Sequence, residues 1–126
     1  MKFQLSQRFY FDAAHTLQRA LETESSRRIH GHTYSAEITV IGTPDPQTGM
    51  VLDLGLVRIA IAKLRETLDH HLLDEVPGLG IPTLENLCLF ILETVELPRD
   101  LIQSVRVWRE GQGDGCLLLA HDAAGA

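Results

Sequence analysis

The sequence is poor in cysteine, has no low-complexity tract and contains no long apolar run. Its 126 residues include only two cysteines, Cys88 and Cys116. In a chain without an export signal, two cysteines predict reduced core thiols rather than a disulfide framework. Because no apolar stretch approaches the ~20 residues of a bilayer-spanning helix, we expect a soluble globular protein with no membrane partner.

Basic residues are also scarce: 11 Lys and Arg stand against 17 Asp and Glu, for a net charge of -6. Binding of DNA or RNA relies on clustered Lys and Arg that displace counterions, so the composition argues against a nucleic-acid partner and allows only a local basic pocket. Residues 1–15 alternate and lack the apolar core of a signal peptide, which predicts a cytoplasmic location. The length predicts one domain over residues 1–121, followed by a frayed tail at 122–126.

Alternating apolar and polar residues predict three strands, at residues 3–12, 32–41 and 102–110, because every second side chain of a strand faces the same side of a sheet. After the third segment, GQGDG turns the chain into CLLLAH, which predicts a fourth strand and a terminal hairpin. Between the first two strands, residues 16–29 are polar without a period and predict a loop. A loop of that length in a small domain is often functional.

Two segments have the periodicity of amphipathic helices. Residues 54–68 place apolar side chains at helical spacing after Asp53, a candidate N-cap. A second helix is predicted to begin at Thr83, a capping residue that follows Pro82. The resulting order β-β-α-α-β-β predicts an α+β fold in which both helices cover one face of an antiparallel sheet.

Three histidines form a candidate metal site. His30 and His32 are two residues apart in an extended segment, so their side chains project from the same face and can meet on one ion. A lone His-x-His pair is as compatible with hydrogen-bonded histidines as with a metal. His15 follows the first strand and reaches the pair if the first two strands form a hairpin. Three imidazoles without a fourth ligand are typical of a zinc site with one open position, as catalysis requires.

Two further groups of titratable residues are candidates for chemistry. Asp69 is followed by His70 and His71 at the end of the first helix, and a carboxylate beside an imidazole can orient it for proton transfer. A basic residue favoured by the helix dipole is the simpler interpretation of the same pattern. Glu110 lies before the glycine-rich turn, where an exposed carboxylate is also unremarkable without further context.

Six segments, taken together, are similar to those of one enzyme family in order and approximate spacing. They are FDAAHTL, RIHGHTY, GMVLDLGLV, LDHHLLDEVPG, PTLEN and VRVWREGQGDGC. The chain resembles the 6-pyruvoyltetrahydropterin synthase and 6-carboxytetrahydropterin synthase family over nearly its whole length. The resemblance implies the family's tunnelling fold, in which subunits assemble into a barrel, typically a homo-hexamer of two trimers with active sites between subunits.

The resemblance also implies a metal and a substrate. It makes His15, His30 and His32 the ligands of Zn2+, which acidifies side-chain hydroxyls of the substrate 7,8-dihydroneopterin triphosphate. Glu110 matches the carboxylate that accepts hydrogen bonds from the pterin ring, a strong and directional contact. Thr83 falls where the family contacts the pterin.

Proton transfer and phosphate binding are implied at other positions. Asp69 and His70 match the family's proton-relay pair, which leaves His71 without an assigned role. Arg28 suits the triphosphate, because a guanidinium pairs well with phosphate oxygens.

The catalytic base departs from the family pattern. The family's catalytic cysteine lies four residues before the first histidine of His-x-His, and that position is Ser26 here. A thiol with a pKa of roughly 8.5 ionises near neutral pH, while an alcohol needs a strong activating base. Glu22 and Glu24 are alternative bases, since some relatives use a glutamate in this region, but neither occupies the family position. An introduced Cys-to-Ser change would give the same sequence.

Three functions follow from this pattern. The first is a zinc-dependent lyase that converts the triphosphate to 6-carboxy-5,6,7,8-tetrahydropterin, for queuosine and other deazapurines, or to 6-pyruvoyltetrahydropterin. The second is a retro-aldol cleavage to a 6-hydroxymethyl product, on the route to folate, as relatives without the cysteine perform. The third is a pterin-binding barrel protein without catalysis. Retention of the candidate metal ligands, relay pair and pterin anchor favours an enzyme.

Overall fold

The computed structural model describes residues 1–16 and 29–121. Six main elements and two short 3-10 helices, Leu73–Glu75 and Arg99–Leu101, make up this part of the chain. The main elements are β1 (Phe3–His15), β2 (His30–Gly42), α1 (Leu54–Leu68), α2 (Leu84–Thr94), β3 (Ile102–Arg109) and β4 (Asp114–Leu119). Their order is the predicted β-β-α-α-β-β.

The strands form one antiparallel sheet in the order β1-β2-β3-β4. The two helices lie in the connection from β2 to β3 and cover one face of the sheet, α1 against β1 and α2 against β3 and β4. This arrangement confirms the predicted α+β class. None of the described helices is long and apolar enough to cross a membrane.

The core lies between the helices and the sheet face that carries the alternating apolar residues. On β2 the buried positions are Tyr34, Ala36, Ile38 and Val40, as the alternation predicts. On α1 they are Val57, Ala60, Ile61, Leu64 and Leu68, which is the predicted apolar face. Alternation along β2 therefore decides which side chains enter the core. His30 and His32 lie on the same face of the strand as these buried residues.

Both helices begin at the predicted caps. The Asp53 carboxylate accepts a hydrogen bond from the backbone N–H of Gly55 at 2.8 Å, and the Thr83 hydroxyl accepts one from Asn86 at 3.1 Å. Each bond satisfies a donor that the first helical turn leaves without an intrahelical partner. The cap at Thr83 also fixes Pro82 at the start of α2, a position that matters for the site.

Strand ends differ from the prediction by a few residues. β1 continues to His15 rather than ending near residue 12, because it pairs with β2 along its whole length. β4 begins at Asp114 rather than Cys116, because Asp114 pairs with Arg109 and Gly113 turns the chain with a φ of 73°. The turn is therefore shorter than the predicted GQGDG segment.

Cys88 and Cys116 are free thiols, as predicted. Cys88 is fully buried, its Sγ donates to the Cys116 carbonyl at 3.5 Å, and burial raises the pKa of its thiol to about 12. A thiol with so high a pKa does not ionise at neutral pH, so Cys88 is unsuited to act as the missing base.

Candidate functional site

Three histidines meet where β1 and β2 end. His15 is paired with His30, and Ala13 with His32, so the antiparallel register places all three imidazoles on one face. The ring centroid of His15 lies 4.4 Å from that of His30 and 4.9 Å from that of His32. One nitrogen of each ring lies within 4.8 Å of the others, close enough for the three to hold one metal ion.

His15 has the hydrogen bonding of a metal ligand. The side chain is only 3% exposed, and its Nδ1 lies 3.3 Å from the Pro82 carbonyl at the start of α2. Because a carbonyl only accepts, Nδ1 carries the proton and Nε2 presents a lone pair. Nε2 is buried and has no hydrogen-bond partner among the described residues, a costly arrangement that a metal ion would relieve.

Burial keeps two of the three imidazoles neutral. Desolvation lowers the pKa of His15, and desolvation together with the nearby Arg109 guanidinium lowers the pKa of His32 to about 4. At neutral pH both of these rings are uncharged, which is the form that binds a metal. A set of three imidazoles matches the donor set of catalytic zinc sites rather than that of structural sites, which have four protein ligands.

The segment after α1 holds Asp69 and His70 in contact. His70 Nδ1 lies 3.0 Å from an Asp69 carboxylate oxygen, and the other oxygen accepts the Asp12 N–H at 2.9 Å. That backbone hydrogen bond, with the His70 contact, lowers the pKa of Asp69. The carboxylate therefore stays ionised and orients an imidazole that is largely exposed, as a proton relay requires.

The segment from His70 to Leu72 is fixed to β1 by its backbone. The His70 N–H donates to the Asp12 carbonyl at 2.6 Å, and the Ala14 N–H donates to the His71 carbonyl at 3.0 Å. His70 adopts a φ of 60°, in the left-handed region that costs a residue with a Cβ. Backbone strain of this kind is often retained for function.

Glycine at position 70 is expected to stabilise the fold. His70→Gly removes the Cβ that opposes the positive φ and should raise the free energy of unfolding by roughly 0.5–1 kcal/mol, although the imidazole is lost. Urea denaturation measures the change. His71→Gly, at a neighbouring exposed histidine without a positive φ, is the control and should not stabilise; a destabilised His70→Gly protein would contradict the strain argument.

Thr83 and Glu110 lie in different clefts. Thr83 lines a cleft of about 200 Å³ together with His15, while its hydroxyl caps α2. Glu110 is exposed in the β3–β4 turn, accepts the Trp108 indole N–H at 2.9 Å and lines a cleft of about 400 Å³. His70 lines a third cleft of about 490 Å³, and one of its walls is His32.

Those predicted site residues that the structure describes thus gather at one end of the sheet without forming a single pocket. The clefts lined by Thr83 and by Glu110 share Arg109 and Asp114. The cleft lined by His70 is also lined by His32, one of the three histidines. Ser26 and Arg28, the predicted base and phosphate ligand, lie outside the described residues, as does the predicted tail at 122–126.

Arg109 and Asp114 are site residues that the sequence interpretation missed. The Arg109 guanidinium donates to both carboxylate oxygens of Asp114 and lies 3.3 Å from His32 Nε2. A signal was present in the sequence. Arg109 shares strand parity with the buried Val105 and Val107, and an arginine on the core face of a strand needs a buried partner.

Comparisons with known proteins find related sequences along most of the chain. The family model described as 6-pyruvoyl tetrahydropterin synthase matches residues 4–117. Human 6-pyruvoyl tetrahydrobiopterin synthase is 32% identical over 83% of each chain. Dihydroneopterin monophosphate aldolase of Pyrococcus furiosus is 32% identical over 86% of this chain and 90% of its own. The 6-carboxy-5,6,7,8-tetrahydropterin synthase of Synechocystis is 32% identical over 70% of each.

The fold has a counterpart among solved structures. The 6-pyruvoyl tetrahydropterin synthase of Caenorhabditis elegans superposes with a TM-score of 0.80 at 21% identity, over 94% of this chain and 96% of that one. At this identity the likeness bears on the fold, and it extends over the sheet and both helices.

Proposed function

Because this chain belongs to the 6-pyruvoyl tetrahydropterin synthase family, we propose that it is a zinc-dependent lyase acting on 7,8-dihydroneopterin triphosphate. The proposed product is 6-carboxy-5,6,7,8-tetrahydropterin, a precursor in queuosine and deazapurine biosynthesis, or 6-pyruvoyltetrahydropterin. The observation that carries the proposal is the buried Nε2 of His15, which has no hydrogen-bond partner among the described residues and lies within metal-binding distance of two further imidazoles.

In this proposal His15, His30 and His32 hold the zinc ion. When bound, zinc supplies a Lewis acid that acidifies hydroxyl groups and stabilises negative charge on oxygen. The Pro82 carbonyl orients His15 by fixing the proton on its Nδ1, the support that metal-binding histidines commonly receive. Burial excludes water from His15 and strengthens each electrostatic contact at the site.

His70 transfers the proton, and Asp69 orients its ring. The Asp69 carboxylate stabilises the imidazolium that forms when His70 accepts a proton, which a neutral partner would not do. We propose Ser26 as a weak base in place of the family cysteine.

We propose that Glu110, Thr83 and Arg28 recognise the substrate. Glu110 binds the pterin ring through charge-assisted hydrogen bonds, and the Trp108 indole holds its carboxylate in place from one side. Thr83 contacts the ring at the start of α2, and Arg28 binds the triphosphate.

A second function is favoured by one specific relative. Ser26 is a poor proton acceptor, and the Pyrococcus furiosus aldolase matches nearly the whole of this chain. We therefore keep retro-aldol cleavage to a 6-hydroxymethyl pterin as the alternative reaction. A pterin-binding barrel protein without turnover is the remaining alternative.

Assembly into a homo-hexamer of two trimers, as a cytoplasmic enzyme with one domain over residues 1–121, belongs to the same proposal. β1 and β4 are the two edges of the sheet, and open edges invite pairing with another chain. Large apolar side chains are exposed on these edge strands: Phe3, Tyr10, Leu117 and Leu119. Assembly through the edges also offers a way to bring the separate clefts together into complete sites.

Product analysis distinguishes these reactions. Zinc-loaded protein is incubated with 7,8-dihydroneopterin triphosphate and the pterins are identified by mass spectrometry, with Ser26→Cys in parallel. A carboxy or pyruvoyl pterin supports the lyase, and a hydroxymethyl pterin supports the aldolase. No pterin product from either protein would refute an enzymatic function on this substrate, and turnover by the cysteine variant alone would leave a binding role for the natural chain.

A further inference from the structure

We propose that Arg109 is a gate on the metal site: it hydrogen-bonds the lone pair that His32 would offer a metal ion, and once released from that contact it would bind an anionic oxygen of the substrate side chain. This inference rests on the proposed function and names a further residue that contacts the substrate there. It starts from the hydrogen bond between Arg109 and His32, which could not persist with a metal ion bound to His32.

Arg109 is held beside the histidines by a fixed partner. Its side chain is only 12% exposed, and Nε donates to one Asp114 oxygen at 2.9 Å while Nη2 donates to the other. The paired geometry directs the remaining nitrogen, Nη1, to within 3.3 Å of His32 Nε2. A guanidinium held by two hydrogen bonds to one carboxylate has little freedom, so the position of its remaining N–H donor is fixed.

The proton on His32 follows from this contact. A guanidinium only donates, so Nε2 must accept, and the neutral ring therefore carries its proton on Nδ1. The lone pair available to a metal is then the one that Arg109 already occupies. If the ring instead offered Nδ1 to the metal, its proton would move to Nε2 and face the guanidinium. In either tautomer, a metal on His32 and the Arg109 hydrogen bond exclude each other.

Release from His32 frees one N–H donor in a confined space that the buried Tyr34 hydroxyl also lines. Asp114 retains Nε and Nη2, so Nη1 stays at the wall of the cleft of about 200 Å³ that His15 and Thr83 also line. Asp114 offsets the charge of the guanidinium, but Nη1 remains the donor that no Asp114 oxygen accepts, and it lies beside His32. The arrangement therefore suits a negatively charged oxygen that develops as the substrate's side chain is cleaved, which preorganised donors stabilise strongly.

Two binding measurements test the gate without using pterin turnover. In the double variant Arg109→Met/Asp114→Asn, which keeps the net charge, zinc should bind about tenfold more tightly in competition with a chromophoric chelator, because His32 loses its competing donor. Azide, titrated into the cobalt(II)-loaded protein and followed by visible absorption, should bind about tenfold more weakly, because the anion loses Nη1. Lys63→Met/Glu96→Gln, which removes an exposed ion pair outside these clefts and also keeps the net charge, is the matched control for both.

Each outcome decides the matter. Unchanged zinc affinity in the double variant would mean that Arg109 does not compete with the metal, and weaker zinc binding would mean that it supports the ligands. Unchanged azide affinity would mean that it binds no anion. Any of these results overturns the gate. Turnover adds a third readout, a fall in kcat of roughly 100-fold with little change in KM. If the natural protein binds zinc and azide as predicted but cleaves no pterin, the proposed function fails and the gate stands. A natural protein without zinc affinity overturns both.

Discussion

Alanine in place of His15 is expected to abolish zinc binding by this protein. His15 is the most buried of the three histidines, and its Nε2 has no partner among the described residues other than the metal proposed for it. Changes to residues that merely support metal ligands cost 10–100-fold in affinity, so loss of a ligand should cost at least about 100-fold. Atomic absorption of the purified protein, after dialysis against a weak chelator, measures the loss.

His121→Ala is the control for this experiment. His121 is exposed beyond the end of β4, so its removal tests for adventitious binding by surface histidines. The account requires one zinc per chain in the control and none in His15→Ala. Full occupancy in both proteins would refute the ligand assignment. His32→Ala should behave as His15→Ala does, since the three rings act as one donor set.

Glutamine in place of Glu110 is expected to weaken binding of a dihydropterin by about 100-fold, because a charge-assisted, two-point hydrogen bond is exchanged for a neutral one that mismatches a donor. Glutamine keeps an oxygen for the Trp108 indole, which donates to Glu110 at 2.9 Å, so the turn should remain in place. Quenching of pterin fluorescence gives the affinity.

The matched variant for this test is Glu93→Gln, an exposed acid on α2 that removes the same charge away from the clefts. Its pterin affinity should equal that of the natural protein. If Glu110→Gln also binds with undiminished affinity, the proposed pterin anchor is wrong, whatever the zinc measurements give.

The meeting of the three histidines was predictable because it depends on local rules. Strand parity sets His30 and His32 on one face, and a hairpin between the first two strands brings His15 beside them. Periodicity and capping likewise predicted α1 from Asp53 and α2 from Thr83. These features depend on neighbours in sequence or on one antiparallel register, which hydrophobic patterning specifies.

Arg109 and Asp114 escaped prediction because their role depends on a contact across the sheet. Nothing near Arg109 in sequence indicates that its guanidinium meets His32, 77 residues away along the chain. The separate placement of Thr83 and Glu110 was equally hidden, since it depends on how helix starts and turns pack at the end of the sheet. Contacts between distant elements follow from the completed fold rather than from local patterns.

Zinc dependence of pterin turnover shows whether the three histidines hold a catalytic metal. The protein is stripped of metal with a strong chelator, assayed with 7,8-dihydroneopterin triphosphate, and assayed again as zinc is returned in known amounts. We expect no pterin product from the stripped protein and full recovery at one zinc per chain. Product formation at an unchanged rate after complete metal removal would contradict it, because the three histidines would then have no part in the chemistry.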